Sequence, residues 1–264
     1  MSDFKIGIDY GGTKIEGILI DSNGKEILRK RSTYEKTYES GLNTVKSLVS
    51  EFDKFTDQQN TVGVCIPGFS SYETGLVNNA NCIWINDKPF HKDLEKSLDR
   101  EIRIMNDANC FALSEAIDGS GANYKSVWGV IIGSGFGGSF VYEKKVIEGV
   151  NQIAGDWGHQ PLPYPTEEEI NSDVQCNVGN CKRPLCAEQF ISGIGFTKLF
   201  NEKYGTSLRT REIVALEANG DERAKKEFEL YEDRFARLIS VMIGIVDPEV
   251  IVFGGGMSNV GRLY

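Results

Sequence analysis

The sequence predicts an α/β fold made of two similar halves, and three observations support this prediction. A strand, a glycine-rich turn, a strand, a tight turn and a third strand follow one another twice, about 120 residues apart. Between strands, apolar residues recur three or four positions apart, which is the spacing of amphipathic helices. Hydrophobic residues make up 40% and charged residues 25% of the 264 positions, as in ordinary globular proteins. We therefore expect one large or two modest folded domains.

The first half begins with a predicted three-stranded meander and continues with alternating helices and strands. Asn23-Gly24 favours a hairpin turn, because these residues adopt the positive φ angles that a two-residue turn requires. Pro67-Gly68 is expected to end a buried strand. The predicted elements are strands at 5–9, 14–21 and 26–30, a helix around 42–52, strands at 61–66 and 102–105, and a helix from 108 to about 117.

The second half repeats the meander and then becomes mainly helical. The polar stretch 164–184 contains Gly and Pro and is predicted to be a loop or insertion, whereas 211–245 is predicted to be helical throughout. The remaining predicted elements are strands at 127–132, 139–142, 145–147 and 250–253, with a glycine-rich turn at 133–138. We expect two domains, at 1–118 and 119–264.

Charge and hydropathy exclude several classes of partner. The formal net charge is −9, so there is no basic surface of the kind that binds nucleic acid or anionic lipid. The longest apolar stretch, 238–246, is interrupted by Ser240 and Gly244 and is much shorter than the roughly 20 residues that cross a bilayer. The first twelve residues lack the apolar core of a signal peptide. We expect a cytoplasmic protein with no nucleic-acid or membrane partner.

Three glycine clusters are the main candidates for ligand binding: Gly11-Gly12, Gly133 with Gly135, Gly137 and Gly138, and Gly254-Gly255-Gly256. Backbone approaches a phosphate closely only where no Cβ intervenes, and successive N–H groups then bind the anion. The clusters match neither a Walker A loop nor a dinucleotide-binding fingerprint. Because two of them occupy equivalent places in the two repeats, they favour nucleotide binding over simple turns. Asp9, just before the first cluster, is either a Mg²⁺ contact or a turn-forming residue.

Asn106-Asp107 lies between a predicted strand and a predicted helix and has two interpretations. Asp is among the best helix N-caps, so the spacing alone favours a cap at Asp107. A carboxylate at the carboxyl end of a strand is also where α/β enzymes hold a general base. The pattern by itself does not exclude either role.

The six cysteines form two groups. Cys65, Cys82 and Cys110 are scattered among small or apolar residues and are expected to be reduced. Cys176, Cys181 and Cys186 fall within eleven residues and follow His159. Three thiolates and one imidazole form the closed tetrahedral set of a structural zinc site. The alternative is a loop with free thiols and a core histidine.

Taken together, these motifs resemble the ROK family of sugar kinases over essentially the whole chain. The resemblance is carried by Asp9-Tyr10-Gly11-Gly12-Thr13-Lys14, Ile66-Pro67-Gly68, Asn106-Asp107-Ala108-Asn109, the loop 133–138, Gly158-His159, the cysteine trio ending in Cys186-Ala187-Glu188, and Asp247-Pro248 before Gly254-Gly255-Gly256. Within the family, segments 79–84, 89–90, 157–163 and 256–259 look most like bacterial fructokinases and mannofructokinases. N-acetylglucosamine kinases are the next most similar members.

The resemblance implies an actin-like ATPase (ribonuclease H-like) fold, in which two domains, each opening with a three-stranded meander, flank an active-site cleft. It implies ATP with Mg²⁺ and a homodimer. The implied nucleotide contacts are Asp9, Gly11, Gly12, Thr13, Lys14, Gly133, Ser134, Gly135 and Gly137, with Gly254, Gly255 and Gly256 near the adenosine. The implied sugar contacts are Gly68, Asn81, Asn106, Asp107, Asp156, His159 and Glu188. The implied zinc ligands are His159, Cys176, Cys181 and Cys186.

The resemblance also implies a reaction, in which Asp107 takes the proton of the sugar 6-hydroxyl as that hydroxyl attacks the γ-phosphate of ATP. We expect phosphorylation of fructose, with mannose as a further candidate substrate. The alternatives are an N-acetylglucosamine or N-acetylmannosamine kinase and a non-catalytic sugar sensor. The family's transcription regulators carry a helix-turn-helix before the first meander, and we expect none here because the meander begins at residue 5.

Three features depart from the family pattern. Asp156 stands where the family usually has Glu, so this carboxylate is one methylene shorter. The cysteines are spaced Cys-x4-Cys-x4-Cys, whereas the family usually has Cys-x-Cys-x4-Cys. The printed sequence ends at Tyr264, where relatives continue through a further segment.

Overall fold

The computed structural model describes residues 4–172, 174–176 and 181–264. These residues form two compact units. The first contains the described residues up to Cys110 together with Gly149–Ile153, and the second contains those of Phe111–Glu148 and Ala154–Tyr264. Each unit has its own sheet and its own hydrophobic core.

The first unit is built on a five-stranded mixed sheet with the strand order β3-β2-β1-β4-β7. The pairs β1–β2 and β2–β3 are antiparallel, whereas β1–β4 and β4–β7 are parallel. A separate two-stranded ribbon pairs β5 with β6. The strands are β1 (Phe4–Tyr10), β2 (Lys14–Asp21), β3 (Glu26–Thr33), β4 (Thr61–Ile66), β5 (Phe69–Ser70), β6 (Val77–Asn78) and β7 (Ile102–Asn106).

Helices α1 (Tyr38–Thr56) and α2 (Phe90–Leu98) pack against this sheet and against each other. The apolar residues that predict α1 from the sequence are the ones that it buries, namely Leu42, Val45, Leu48, Val49 and Phe52. Thr37 begins α1 by accepting a hydrogen bond from the backbone N–H of Ser40. Helix α3 (Asp107–Ile117) follows β7 without an intervening loop and continues into the second unit.

The second unit contains a four-stranded sheet with the order β10-β9-β8-β11. Strands β8 and β9 are antiparallel, and β11 lies parallel to β8 with Gly254 opposite Ile131. On α3, Ala112 lies so close to Gly129 of β8 that a Cβ there would be 2.6 Å from the Ala112 Cβ. The strands are β8 (Ser126–Ile132), β9 (Phe136–Tyr142), β10 (Lys145–Val146) and β11 (Val250–Gly254).

Five helices complete the second unit: α4 (Glu167–Ile170), α5 (Ala187–Ile191), α6 (Gly193–Tyr204), α7 (Thr210–Ala218) and α8 (Glu222–Val246). The prediction of uninterrupted helix over 211–245 was wrong, because α7 and α8 are separate. Gly220, with φ of +83°, reverses the chain between them. Asp221 then caps α8 by accepting from the N–H groups of Arg223 and Ala224. None of the helices in the described ranges combines the length and apolarity that crossing a bilayer requires.

The polar stretch 164–184 is more ordered than a loop where the structure describes it. It contains α4, which Thr166 and Glu169 begin with a reciprocal capping box. Asp173 and residues 177–180 of this predicted loop lie outside the described residues.

Candidate active site

In the first unit, the carboxyl ends of three parallel strands meet at one edge of the sheet. Asp9 of β1 lies opposite Cys65 of β4, and the next β4 residue, Ile66, lies opposite Asn106 at the end of β7. The Cys65 thiol donates to the Asp9 carboxylate across 3.5 Å. Parallel strands place the residues that follow them side by side, so the candidate residues near 9, 68 and 107 share this edge.

Asn106, and not Asp107, is the N-cap of α3. Its Oδ1 accepts hydrogen bonds from the backbone N–H groups of Ala108 at 2.9 Å and Asn109 at 3.3 Å. Its Nδ2 donates to the Gly68 carbonyl at 2.9 Å, which ties the end of β7 to the turn after β4. The interpretation of Asp107 as the cap therefore needs correction, because the side chain of Asn106 caps the helix.

Asp107 occupies the first helical position, and its side chain is accessible to solvent although the surrounding protein displaces part of the water around its carboxyl group. One of its oxygens accepts from the N–H of Ala108 at 2.8 Å. Desolvation by the surrounding protein raises the pKa of the Asp107 carboxyl, and the negative charge of Asp9 raises it further. A carboxylate with a raised pKa is a stronger proton acceptor when it is ionised.

The first glycine cluster forms a tight turn between β1 and β2, which we call the Gly11 loop (residues 11–14). The N–H of Gly11 donates to the Lys14 carbonyl at 3.1 Å, and a Cβ on Gly11 would lie 2.9 Å from that oxygen. Thr13 and Lys14 are exposed at its tip. The turn therefore needs glycine and leaves two polar side chains available to a ligand.

Gly68 and Asn81 belong to neighbouring turns of the first unit. Gly68 has φ of +78°, and a Cβ there would collide with the backbone of Asn78 and Ala80. Asn81 is exposed on the segment 79–86, which we call the Asn81 loop. Asn86 closes this loop through two hydrogen bonds of 2.9 Å, one to the N–H and one to the carbonyl of Ala80. The sequence analysis missed Asn86, although an Asn-Asp pair is a common turn signal.

In the second unit, the other two glycine clusters lie together at the carboxyl ends of β8 and β11. A Cβ on Gly255, whose φ is +84°, would collide with the backbone of Ile132, directly before the loop 133–138. The Gly133 carbonyl accepts from the N–H of Gly193 at 2.8 Å, so the start of α6 supports this loop. The glycines with open space where a Cβ would stand are Gly133, Gly137 and Gly256. Ser134 is exposed.

Glu188 is a buried carboxyl beside this loop. It is 7% exposed, and desolvation raises its pKa to about 7, with a smaller contribution from the charge of Asp156. A Cβ on Gly135 would lie 3.3 Å from one of its oxygens, and a Cβ on Gly158 would lie 3.0 Å from the other. Nε2 of His159 lies 3.7 Å from the carboxylate. Glu188 thus interacts with both Asp156 and His159. Glu188 is buried, whereas Asp156 is exposed.

The predicted zinc ligands converge in the second unit. One ligand atom from each of His159, Cys176, Cys181 and Cys186 lies within 4.8 Å of the others. Nδ1 of His159 is 3.4 Å from the Cys186 sulfur, which is 3.9 Å from the Cys181 sulfur. Three thiols and an imidazole at these separations match the donor set that zinc prefers. The residues present therefore fit a structural zinc ion despite the unusual spacing.

An ionic network that the sequence analysis missed holds the segment between His159 and Cys176. The Glu169 carboxylate bonds to Arg234 at 2.7 Å and to Arg237 at 2.9 Å, and both arginines lie on α8. Arg237 also donates to the carbonyls of Pro163 and Tyr164. Burial alone would raise the pKa of Glu169, but the two guanidinium groups outweigh it and lower the pKa to about 2. The only sequence signal was the capping box at Thr166.

Comparison with known proteins identifies the family. The ROK family model matches residues 5–264. The chain is 40% identical, over 98% of its length and 86% of the relative's, to the N-acetyl-D-glucosamine kinase of Pasteurella multocida. Relatives that match at 39 to 40% identity carry that same name. The comparisons therefore support the alternative stated for the sugar and not the fructokinase expectation.

Solved structures of ROK family proteins have a fold similar to that of this chain. The ROK hexokinase of Thermus thermophilus matches with a TM-score of 0.83 and 22% identity, covering 97% of this chain and 83% of that one. A ROK family glucokinase from Streptomyces griseus, solved with glucose and AMPPNP, matches with a TM-score of 0.78 and 22% identity, covering 98% and 85%. The α/β architecture thus fits the actin-like ATPase fold, and the chain belongs to the ROK family of sugar kinases.

Proposed function

We propose that this protein transfers the γ-phosphoryl group of ATP to the 6-hydroxyl of N-acetyl-D-glucosamine. The observation that carries the proposal is the position of Asp107, an exposed carboxylate at the carboxyl end of β7 whose neighbour Asn106 caps the helix. The names of relatives at 40% identity favour the acetamido sugar over fructose. Room for the acetamide is needed near Asn81 or Glu188.

Asp107 is proposed as the general base of the transfer. Its carboxylate accepts the proton of the 6-hydroxyl while that oxygen attacks the γ-phosphorus and the bond to the β–γ bridging oxygen breaks. The raised pKa of Asp107 suits this role, because a stronger base shares more of the proton in the transition state. Asn106 and Gly68 keep the base in position through their hydrogen bond.

The glycine clusters are proposed to hold the nucleotide. Open space at Gly133, Gly137 and Gly256 is what close approach of phosphate or ribose to the backbone requires. In the first unit, Gly12 and Thr13 are proposed to offer N–H groups and Lys14 a cationic side chain to the phosphates, while Gly11, whose N–H is bonded to the Lys14 carbonyl, shapes the turn. Asp9 would hold the Mg²⁺ of the nucleotide through water. Mg²⁺ supplies neutralisation of the charge that develops on the phosphate oxygens.

The remaining sugar contacts are proposed from the family resemblance: Gly68, Asn81, Asn106, Asp156, His159 and Glu188. Carboxylates and amides suit a polyol, because each hydroxyl both donates and accepts a hydrogen bond. Zinc at His159 and the three cysteines would have a structural role, since all four ligand positions are filled by protein.

The test is release of ADP by the full chain with ATP and Mg²⁺, measured on N-acetylglucosamine, N-acetylmannosamine, glucose, mannose and fructose. We expect kcat/KM to be highest on N-acetylglucosamine. Preference for fructose would overturn the choice of sugar while keeping the chemistry. Silence on every sugar, with sugar binding detected by calorimetry, would overturn the enzymatic proposal in favour of a sensor.

A further inference from the structure

A cluster of aromatic residues in the first unit connects the Asn81 loop to the Gly11 loop. Nε1 of Trp84, in the Asn81 loop, donates to Oη of Tyr10 at 3.1 Å. The Tyr34 ring packs against the Tyr10 ring and the Trp84 ring, with centroid distances of 5.5 Å and 6.0 Å. Oη of Tyr34 donates to the Gly11 carbonyl at 2.9 Å. We call this series of hydrogen bonds and ring contacts the tyrosine relay: Trp84, Tyr10, Tyr34, Gly11.

The two hydrogen bonds of the relay each have a fixed direction. An indole N–H only donates, and a carbonyl oxygen only accepts. Trp84 therefore donates to Tyr10 and Tyr34 donates to Gly11, while ring packing joins Tyr34 to Tyr10 and to Trp84.

Two further observations show that the relay is built into the fold. Gly41 of α1 faces the Tyr10 hydroxyl so closely that any Cβ would collide with it. Tyr10 is fully buried, and its ring packs against Tyr34 with a centroid distance of 5.5 Å. Because residue 41 has no side chain, the Tyr10 hydroxyl has room to accept the hydrogen bond from Trp84.

A direct contact joins the same two loops. The buried Cys82 follows Asn81, and its sulfur would lie 3.4 Å from a Cβ on Gly12. The Asn81 loop therefore meets the Gly11 loop twice, by packing at Gly12 and through the relay at Gly11. A displacement of one loop changes the contacts of the other.

We propose that the tyrosine relay couples binding of the sugar at the Asn81 loop to binding of nucleotide phosphate at the Gly11 loop, with Tyr34 and Trp84 as positioning residues. This inference rests on the proposed function, because it takes the sugar and ATP as the two ligands. Such coupling is reciprocal: each ligand raises the affinity for the other by the same factor.

The test compares Tyr34→Phe with Tyr38→Phe. Both substitutions remove one partly buried tyrosine hydroxyl, but the Tyr38 hydroxyl donates to Asp93 of α2, which lies outside both loops. The dissociation constant of AMPPNP is measured with and without saturating N-acetylglucosamine, together with kcat and both KM values. For Tyr34→Phe we expect the sugar-dependent gain in AMPPNP affinity to fall by about fivefold, the ordinary effect of one hydrogen bond. Tyr38→Phe is expected to match wild type, and melting temperatures establish that both variants fold.

A second comparison tests that the relay acts as one chain. Trp84→Phe breaks it at the opposite end, so Trp84→Phe with Tyr34→Phe is expected to weaken coupling no further than either variant alone. Additive losses of coupling in the double variant would overturn the relay. A Tyr34→Phe protein with the same sugar-dependent gain in AMPPNP affinity as Tyr38→Phe would also overturn it. If wild type turns over no sugar, the proposed function fails. The affinity for AMPPNP without sugar then tests the relay. Weaker AMPPNP binding by Tyr34→Phe, and not by Tyr38→Phe, supports the role of the Tyr34–Gly11 contact. Equal AMPPNP affinity in both variants refutes that role.

Discussion

The chemistry at the start of α3 depends on how two adjacent residues divide their tasks. Asn106 bonds to the first turn of α3 and to the Gly68 carbonyl, whereas Asp107 is exposed beside Asp9. An amide donates and accepts at once, so it suits the structural position. A carboxylate only accepts when ionised, so it suits proton removal. Under the proposed mechanism, the order Asn-Asp thus assigns positioning to Asn106 and proton removal to Asp107.

Replacing the proposed base tests this division directly. Asp107→Asn is expected to lower kcat by about two to four orders of magnitude, because an amide cannot take the proton of the 6-hydroxyl. The melting temperature is expected to stay equal or rise, because the substitution removes a desolvated charge next to Asp9. Asp118→Asn, an exposed position just after the same helix, is the matched control and should behave as wild type. Unchanged turnover in Asp107→Asn would reject the assignment of the base.

The same carboxyl predicts a pH dependence. Its pKa in the folded protein lies above the 3.8 of an ordinary Asp carboxyl, so the protonated and inactive form persists to higher pH. We expect the acidic limb of kcat/KM to lie above 3.8 and to disappear in Asp107→Asn. The folded state binds this proton more tightly than the unfolded state. The ionised carboxylate of Asp107 therefore destabilises the folded protein, and this destabilisation decreases as the pH falls through the folded pKa. A pH–rate profile whose acidic limb is the same in both proteins would contradict the prediction.

Among the elements, helix α8 has a role beyond its apolar face. Its polar side contributes Arg234 and Arg237, which hold Glu169 of α4. The segment 160–176 links His159 to Cys176, so its attachment to α8 is expected to influence where these two candidate zinc ligands lie. Glu169 is 5% exposed, and an ionic group so deeply buried is tolerated only when its partners remain.

Removing the charge of Glu169 is predicted to loosen the segment 160–176, which joins two candidate zinc ligands. Glu169→Gln leaves two arginines with an uncharged partner, and loss of one member of a buried ion pair costs about 3 kcal/mol of unfolding free energy. Zinc should be released to a chelator faster than from wild type, as followed by a colorimetric zinc assay. Glu168→Gln, an exposed neighbour in the same short helix, is the control and should retain zinc as wild type does. Equal release rates in both variants would show that the network does not position the ligands.

At the scale of the whole molecule, the buried hydrophobic clusters of the described residues divide between the two units, one in the first and two in the second. The first core is formed by the five-stranded sheet with α1 and α2, and the second by the four-stranded sheet with the later helices. The candidate zinc ligands lie entirely in the second unit. A structural metal contributes free energy to the unit that holds it.

Zinc removal should therefore affect the two units unequally. We expect about one zinc per chain by elemental analysis, and a lower melting temperature after chelation. Hydrogen exchange should increase around residues 159–176 and 181–188 while the strands of the first sheet keep their protection. A metal-free protein with unchanged melting temperature and exchange would remove zinc from the description.

Local patterns in the sequence were enough to predict most of the elements. The apolar spacing of α1 and the hairpin at Asn23-Gly24 depend only on nearby residues, and the structure has both. The predicted turn geometry holds only in part, because Gly24 has a positive φ and Asn23 does not. The division between α7 and α8 was missed because the helical spacing continues in register across Asn219-Gly220-Asp221. The Glu169 network was missed because its partners are 65 to 68 positions apart. No local pattern reports a contact over that separation.

The sequence by itself determined the α/β class and the glycine turns, because both depend on residue types at a defined local spacing, and it grouped the candidate zinc ligands. For Asp107 the spacing favoured a cap, and only the family resemblance indicated a base. The tertiary structure alone decided that Asn106 is the cap, that Glu188 is buried with a raised pKa, and that Trp84 reaches Gly11 through two tyrosines. Burial and hydrogen-bond direction depend on which distant segments pack together. Those properties arise only when the chain has folded.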